Sequence, residues 1–448
     1  MANTVEQFIE IAKKRNQGEP EFIQAVEEVM GTIAPVLEKY PHYAESGVIE
    51  RMLEPERQIV FRVPWVDDNG KAQVNRGFRV QYNSAIGPYK GGTRFHPSVN
   101  LSTIKFLSFE QIFKNALTTL PIGGGKGGAD FDPKGKSDNE IMNFCQSYMT
   151  ELYRHLGPDT DSPAGDIGVG AREIGYMFGQ YKRLTNTYNC AITGKGVGWG
   201  GSLGRTEATG YGIVYFADEM LKANGASMKG TTIAGSGFGN VTWGMVSKAT
   251  ELGAKVITIS GPDGYVHDPD GVNTPEKIAC LLELRSSGKD IVAPYAEKFK
   301  SATFYAGEKP WGVKADLVIP CAVQNEIHLD DAKKIVANGT KFVCEGANMP
   351  TTNEAIKYMM DNGVIMGPSK AANAAGVATS ALEMAQNSMR YYWTFEEVDE
   401  KIKHIMKGIF KQCENTAKEF GMENNYFAGA NIAGFLVIAK AMQAQGVV

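Results

Sequence analysis

The chain of 448 residues lacks an excess of either charge: 46 Lys and Arg stand against 50 Asp and Glu, leaving −4. With no basic block, nucleic acid is not expected as a main partner. No apolar run reaches the roughly 18–20 residues that crossing a bilayer requires, so no membrane association is expected. The cysteines are few and scattered: Cys145, Cys190, Cys280, Cys321, Cys344 and Cys413 form no Cys-x-x-Cys pair and no metal-ligand rhythm. The six histidines include no His-Glu-x-x-His and no cluster, so no metal is expected either. The opening MANTVEQFIEIAKKRNQGEPEF has early acidic residues and no apolar centre, unlike a secretory signal. Together these features point to a reducing, cytoplasmic setting. One residue type is in surplus. Glycine contributes 51 of 448 residues, about 11% against a usual share of about 7%. It has no collagen period, and it falls in clusters inside otherwise globular sequence.

Along the chain, PEFIQAVEEVMGTIAPVLEKY has helical spacing with Pro20 at its start. RQIVFRVPWV and KAQVNRGFRVQYN alternate with period two around Asp67-Asp68-Asn69-Gly70, which predicts a hairpin. Helices are expected over 100–119 and 137–156, separated by PIGGGKGGADFDPKGK. A second glycine-rich stretch covers 192–212. Beyond it, short apolar segments (TTIAGS, KVITIS, ADLVIP, KFVCEG, GVIMGP) alternate with helices, which implies parallel βαβ units in a doubly wound sheet. The expected fold is therefore α/β with two domains. Residues 1–200 form a mixed α/β substrate-binding and oligomerisation domain, and 201–426 a Rossmann-like dinucleotide-binding domain. A C-terminal helix over about 427–448 packs back. Tyr391-Tyr392-Trp393 reads as packing between helices, and the acidic residues from Glu396 as a helix start.

In TTIAGSGFGNVTWGMVSKATELGAKVITISGPDG a strand enters a glycine turn and a helix leaves it. The frame is Gly237-Phe238-Gly239-Asn240-Val241-Thr242. Its first glycine permits a tight turn, and its second lets a pyrophosphate approach the backbone at the helix N-terminus. Thr242 stands where glycine or alanine is usual. Asp263, after the next strand, is placed to accept from a ribose 2′-hydroxyl and would repel a 2′-phosphate, which favours NAD over NADP. Its alternative reading is a solvated residue of the turn Gly261-Pro262-Asp263-Gly264. No arginine is evident nearby in sequence.

The first half supplies chemistry. Lys90 (IGPYKGGTRFHPS), Lys114 (EQIFKNALTTLP), Lys126 (IGGGKGGADFD) and Asp166 (PAGDIGVGARE) are candidates. Glycines beside a lysine leave room for a ligand to reach both backbone and ammonium. A Walker A loop fails, because Leu120 and Gly127 occupy positions that need Gly and Ser/Thr. Lysines gathered in one cleft depress each other's pKa, making one an acid/base, while the others hold anionic groups. A carboxylate such as Asp166 could shuttle protons to a developing amine. Spacing alone does not bring these four together.

Longer segments carry a resemblance. YKGGTRFHPSVNLSTIKFLSFEQIFKNALTTLPIGGGKGGADFDPKGKS, PAGDIGVGAREIGYMFGQYK, GRTEATGYG, PCAVQNE, EGANMPTTNEA and ANAAGVATSALEMAQNS resemble the hexameric glutamate dehydrogenases with subunits of about this length. The resemblance runs from about residue 10 to the C-terminus. It implies two domains closing over a cleft, a homohexamer, and oxidative deamination of L-glutamate to 2-oxoglutarate and ammonium with NAD or NADP. It implies Lys126 as the catalytic lysine and Asp166 as the proton-transferring acid. Lys114 would take the α-carboxylate, and Lys90 with Ser380 the γ-carboxylate. Gly91, Gly92, Thr193, Arg205, Thr209, Asn348 and Asn373 match positions lining the substrate and cofactor sites, with Asn240 in the fingerprint. Phe238 with Pro262-Asp263 resembles NAD-preferring members. Thr206 and Ala375 depart from the usual Pro and Gly. A leucine- or phenylalanine-type dehydrogenase would need no cation for a side-chain carboxylate, so Lys90 and Ser380 argue against it. A binding protein with a dead site is opposed by the intact Lys126 and Asp166.

Overall fold

The computed structural model describes residues 5–448. It divides into two compact units. One holds the chain up to Leu203 with Val377–Val398 and Asn431–Val448; the other holds Gly204–Gly376 and Asp399–Ala430. The sequence reading closed the first domain at 200 and returned only the C-terminal helix to it. The structure returns residues 377–398 as well, for a physical reason. Glu383, Gln386 and Asn387 bond Gly194, Ser202 and Gly200 of the first unit (2.9, 2.9 and 2.7 Å).

In the first unit the expected hairpin is β1 (Arg57–Val66) and β2 (Ala72–Asn83), antiparallel with Val66 opposite Ala72. Its turn is closed by Asp67, whose Oδ1 accepts from the amides of Asn69 and Lys71. Gly70 supplies the left-handed residue at φ +77°. Next come β3 (Tyr89–Phe95), β4 (Gly124–Ala129) and β5 (Asp161–Gly165), and the sheet runs β1-β2-β4-β3-β5, with β3 parallel to both β4 and β5. The helix Leu101–Leu117 starts at Asn100, whose side chain accepts from the Thr103 amide. The helix Asp138–Leu152 starts at a capping box of Ser137 and Glu140. Phe95, Phe131, Phe144 and Tyr148 form an aromatic core between this helix and the sheet.

In the second unit β6 (Thr232–Gly235), β7 (Lys255–Gly261), β8 (Gly264–His267), β9 (Thr303–Ala306), β10 (Leu317–Ile319), β11 (Phe342–Cys344) and β12 (Ile365–Gly367) form one sheet, in the order β12-β11-β10-β6-β7-β8-β9. Five strands are parallel, as the alternation of apolar segments and helices implies. The last two are antiparallel, through a turn at Gly261–Gly264. That turn leads into a strand where the sequence reading had a helix follow directly. β6 lies between β10 and β7, so the strand order reverses beside the end of β6, the usual place for a dinucleotide.

The helix Tyr426–Gln445 is long and apolar enough by composition to cross a membrane, a feature the sequence reading did not find. Most of it is buried within the protein. Its first-unit part packs Phe435 on Tyr43, and Asn431 bonds Glu28 and Thr32. Tyr391 and Tyr392 do not pack between helices. Both are more than half exposed, and the Tyr392 hydroxyl accepts from the Gly200 amide.

Candidate active site

Parallel strands in the first unit bring the proposed acid and base together. Lys126 lies within β4, and Asp166 follows the last residue of β5. Lys126 Nζ stands 3.1 Å from Asp166 Oδ1, with both side chains largely buried. Arg94, at the far end of β3, donates from Nε to Asp166 Oδ2 at 2.7 Å. One carboxylate thus serves two cations, and the group keeps a net positive charge suited to an anionic ligand.

Burial pushes the Lys126 ammonium below the ordinary lysine range against the attraction of Asp166, and Arg94 and Arg79 push the same way. Burial works against the Asp166 carboxylate. The charges of Lys126 and Arg94 overturn it and hold the carboxyl well below the usual carboxylate range. Gly92 makes this crowding feasible: a Cβ there would lie 2.9 Å from the Asp166 Cβ and 3.3 Å from Lys126 Nζ.

Lys90, at the start of β3, has no exposed surface. Its Nζ donates to Ser162 O (2.6 Å), Pro163 O (3.3 Å) and Thr193 Oγ1 (2.7 Å). Gly91 accepts from Arg79 at its carbonyl, and a Cβ on it would strike the Gly125 carbonyl oxygen. Lys114 is half-buried in the last turn of the helix Leu101–Leu117. Ser380 is buried on the helix Ala375–Met389.

The glycines around Lys126 have a packing cause beside the ligand access expected of them. Cβ atoms on Gly124 and Gly128 would meet Ile112 (2.4 Å) and the Arg94 carbonyl (2.5 Å). On Gly125 and Gly127 they would press on the Val80 and Phe78 carbonyls. The cluster is bare because a central strand is squeezed between its neighbours and a helix.

Sequence reasoning passed over Arg94 and the buried pair of Arg79 and Asp161. Period-two alternation puts Arg94 on the same face of β3 as Lys90 and Gly92, a signal that was there to be used. Arg79 and Asp161 gave no local signal. Their carboxylate–guanidinium contact, joined by Gln81 Nε2 on Asp161 Oδ2 (3.0 Å), lies behind β3 and β4.

In the second unit the fingerprint forms a strand, a turn and a helix. Gly237 takes φ +79°, with Gly239 at the N-cap of the helix Asn240–Glu251. Phe238, Asn240 and Val241 are half-buried at the turn. Thr242 is tolerated because its hydroxyl donates to Ser236 O at 2.9 Å, which satisfies it inside the helix–strand contact. Ala375 is likewise accommodated: its methyl group fills the space that a side chain on Gly212 would need.

Asp263 is not simply a solvated turn residue. Its carboxylate accepts from the amides of Val292 (2.9 Å) and Ala293 (3.0 Å), at the start of the helix Ala293–Lys298. The fold also brings up an arginine that local sequence did not offer. The exposed Arg285 lies at the glycine turn, where a Cβ on Gly239 would come within 3.0 Å of its guanidinium. Thr209 and Arg205 gather at Gly376, and Asn373 Nδ2 donates to Gly346 O (3.1 Å) and Asn348 Oδ1 (3.0 Å). Asn373 Oδ1 is buried with no hydrogen-bond partner among the described residues. Glu326, in PCAVQNE, accepts from the Ala322 amide at 3.0 Å, and burial pushes its carboxyl up to about 7.

Comparison with known proteins gives one consistent result. Residues 200–446 match the glutamate/leucine/phenylalanine/valine dehydrogenase family, and 55–183 its dimerisation domain. The NAD-specific glutamate dehydrogenase of Porphyromonas gingivalis is 58% identical over 442 residues, covering 99% of each chain. The NADP-specific glutamate dehydrogenase of Giardia intestinalis is 57% identical over 450 residues, covering 100% of each. A solved glutamate dehydrogenase superposes with a TM-score of 0.98 at 55% identity, covering 99% of each chain. With both halves of the chain matched, and with the lysine–aspartate pair and the glycine turn each formed, the chain belongs to the glutamate/leucine/phenylalanine/valine dehydrogenase family.

Proposed function

We propose that this chain is a glutamate dehydrogenase, converting L-glutamate and water reversibly to 2-oxoglutarate and ammonium with NAD or NADP as hydride acceptor. The observation that carries the reading is the buried Lys126–Asp166 pair, set in a sheet that also holds the buried cation Lys90. Buried cations in that number suit a substrate with two carboxylates.

The residues present fit a dinucleotide. Gly237 has the left-handed backbone of a phosphate-binding turn, and the bare Gly239 opens the helix N-terminus. Gly237, Phe238, Gly239, Asn240 and Val241 would hold it, with Asp263, Thr209, Arg205 and Asn348. When bound, its nicotinamide accepts the hydride that leaves the glutamate Cα, after the substrate ammonium has given up one proton to the ionised Asp166 and so to solvent. Lys114 takes the substrate α-carboxylate, while Lys90, Gly91 and Ser380 take the distal carboxylate. Lys126, losing its proton below the ordinary lysine range, deprotonates the water that adds to the iminium carbon. Asp166 carries that proton to the nitrogen as ammonia leaves, and Arg94 keeps it ionised for the task. The rate should therefore rise with pH along a limb set by Lys126. In Arg94→Met that limb should move to higher pH, because a neighbouring cation that disfavours the ammonium is gone. A limb that stays put or moves down would remove Lys126 from the role.

Dinucleotide preference is a balance. The Asp263 carboxylate repels a 2′-phosphate and the exposed Arg285 attracts one, which supports NAD as the preferred acceptor with NADP also used. A homohexamer in a reducing compartment is the accompanying proposal. The match to a dimerisation domain supports self-association, as do the half-exposed Val60 and Val74 on the β1–β2 hairpin at a sheet edge. All six cysteines are buried and unbridged, which supports the compartment. Initial rates with glutamate and with leucine, each with NAD and NADP, test the whole reading. No dinucleotide reduction with glutamate, or faster turnover of leucine, would sink it.

A further inference from the structure

Lys195 and Glu383 form an ion pair in which neither side chain is exposed, with Lys195 Nζ 2.7 Å from Glu383 Oε1. Two full charges withdrawn from water are a weak source of stability, so such a pair calls for another explanation. Glu383 does more than meet the ammonium. Its Oε2 accepts from the Gly194 amide at 2.9 Å, and its Oε1 from the Lys195 amide at 3.3 Å. Lys195 Nζ in turn donates to Ile192 O at 2.6 Å. One carboxylate on the helix Ala375–Met389 thus grips the segment 192–195 through two successive amides and an ammonium.

At the centre of that segment is Thr193. Its hydroxyl accepts from Lys90 Nζ at 2.7 Å, and its amide donates to Pro163 O at 2.9 Å. Three residues before Glu383, on the same helix face, is the buried Ser380. The clamp therefore fixes the separation between Ser380 and the Thr193–Lys90 contact. Farther along the helix, Gln386 and Asn387 hold Ser202 and Gly200, so the loop is sewn to the helix along its length. Only the Glu383 attachment is charged and wholly buried.

We propose that Glu383, with Lys195, is a positioning residue for substrate specificity, locking the segment 192–195 so that the Ser380 and Thr193 hydroxyls and the positive charge of Lys90 are held in fixed places for the distal carboxylate of the amino acid. The proposal rests on the glutamate reading above. It makes a selective demand, because only a substrate with that carboxylate uses the clamped groups. Norvaline has the same chain length with a methyl group in the carboxylate's place, and it should be indifferent to the clamp.

The test is steady-state kinetics of the full-length enzyme with NAD, comparing Glu383→Gln with the unaltered chain on glutamate and on norvaline. Glutamine keeps the volume but turns an NH2 toward groups that need an acceptor. Loss of one charged contact predicts a fall of about tenfold or more in kcat/KM for glutamate, carried by KM rather than kcat. For norvaline kcat/KM should hold within about twofold, since no clamped contact is lost, and NAD affinity should not change. Glu383→Asp, which keeps the carboxylate, should recover part of the glutamate preference. Equal losses on both substrates would reduce the pair to a structural role, and no loss on either would remove it altogether. If Glu383→Gln fails to fold, Lys195→Met/Glu383→Gln leaves no unpaired buried charge and carries the same comparison. Failure of the unaltered enzyme to oxidise glutamate would overturn the underlying function. A normal parent whose variants keep the glutamate-to-norvaline ratio would overturn only the positioning role.

Discussion

The two units build their sites from different materials. In the first, chemistry depends on side chains drawn from separate strands: Arg94 meets Asp166 across 72 residues of chain, and Arg79 meets Asp161 across 82. In the second, the dinucleotide turn is contiguous backbone, a strand ending at Gly235, a left-handed Gly237 and a helix beginning at Asn240. The first kind of site is fragile to loss of a functional group. The second tolerates changes of side chain but not the arrival of a Cβ. This difference ranks what substitutions should do.

The largest effect is expected at Lys126. Lys126→Met keeps the stem of the side chain but removes the base, and should lower kcat by roughly 10²–10⁴-fold, the usual worth of a general acid–base group. Asp166→Asn should fall in the same range. Dinucleotide affinity, measured by fluorescence titration, should be unchanged in both. Turnover within a few-fold of normal would show that the side-chain site is not where the chemistry occurs.

The same contrast governs what could be read from sequence. The hairpin at Asn69-Gly70, the capped helix after Ser137 and the turn at Gly237 were all evident because each is decided within a few residues. The meeting of Lys126 with Asp166 was an expectation from resemblance, since no local rule relates β4 to the end of β5. Arg94 was missed although strand alternation pointed to it. The pair of Lys195 and Glu383, 188 residues apart, gave no local sign at all. The glycines around Lys126 show how one observation can have a second cause that sequence does not reveal. Their crowding by Ile112 and by neighbouring strand carbonyls depends on which strands lie adjacent, and composition does not contain that. The antiparallel β8 and β9 were missed because the turn Gly261-Pro262-Asp263-Gly264, although recognised, was taken to lead into a helix and not to join two paired strands.

Support behind the side-chain site ranks next. The Asp161 carboxylate is wholly buried, and it is the partner of the equally buried Arg79. Asp161→Asn leaves that guanidinium uncompensated and should cost about 3–5 kcal/mol of stability, the usual penalty for breaking a buried pair. The measurement is the denaturant midpoint. A loss below about 1 kcal/mol would place the pair among surface-like contacts, whose worth is that small.

A moderate effect is expected where the backbone site meets a Cβ. Gly237→Ala puts an L-residue at φ +79° and a methyl group 2.6 Å from Thr242 Oγ1. The strain of about 1–2 kcal/mol should appear as roughly tenfold weaker dinucleotide binding. Glutamate-dependent steps at saturating dinucleotide should be little changed. Unaltered binding would mean that the turn can relax, and that the contrast between the two sites is weaker than the geometry implies.

The smallest effect is the sharpest test of that contrast. Thr242→Ala restores the small residue usual at the third fingerprint position and deletes the hydroxyl that donates to Ser236 O. In a site made of backbone, that hydroxyl matters only to the helix–strand contact, so stability should fall by about 1 kcal/mol, the worth of one hydrogen bond. Dinucleotide affinity should hold within about threefold, because the amides and the left-handed glycine that would meet the pyrophosphate are untouched. Combined with Gly237→Ala, the same change removes the atom that the new methyl group would strike. Part of the lost affinity should then return, leaving only the backbone strain. If Thr242→Ala alone weakened binding tenfold, the hydroxyl would be a ligand contact, and the second site would depend on side chains much as the first does.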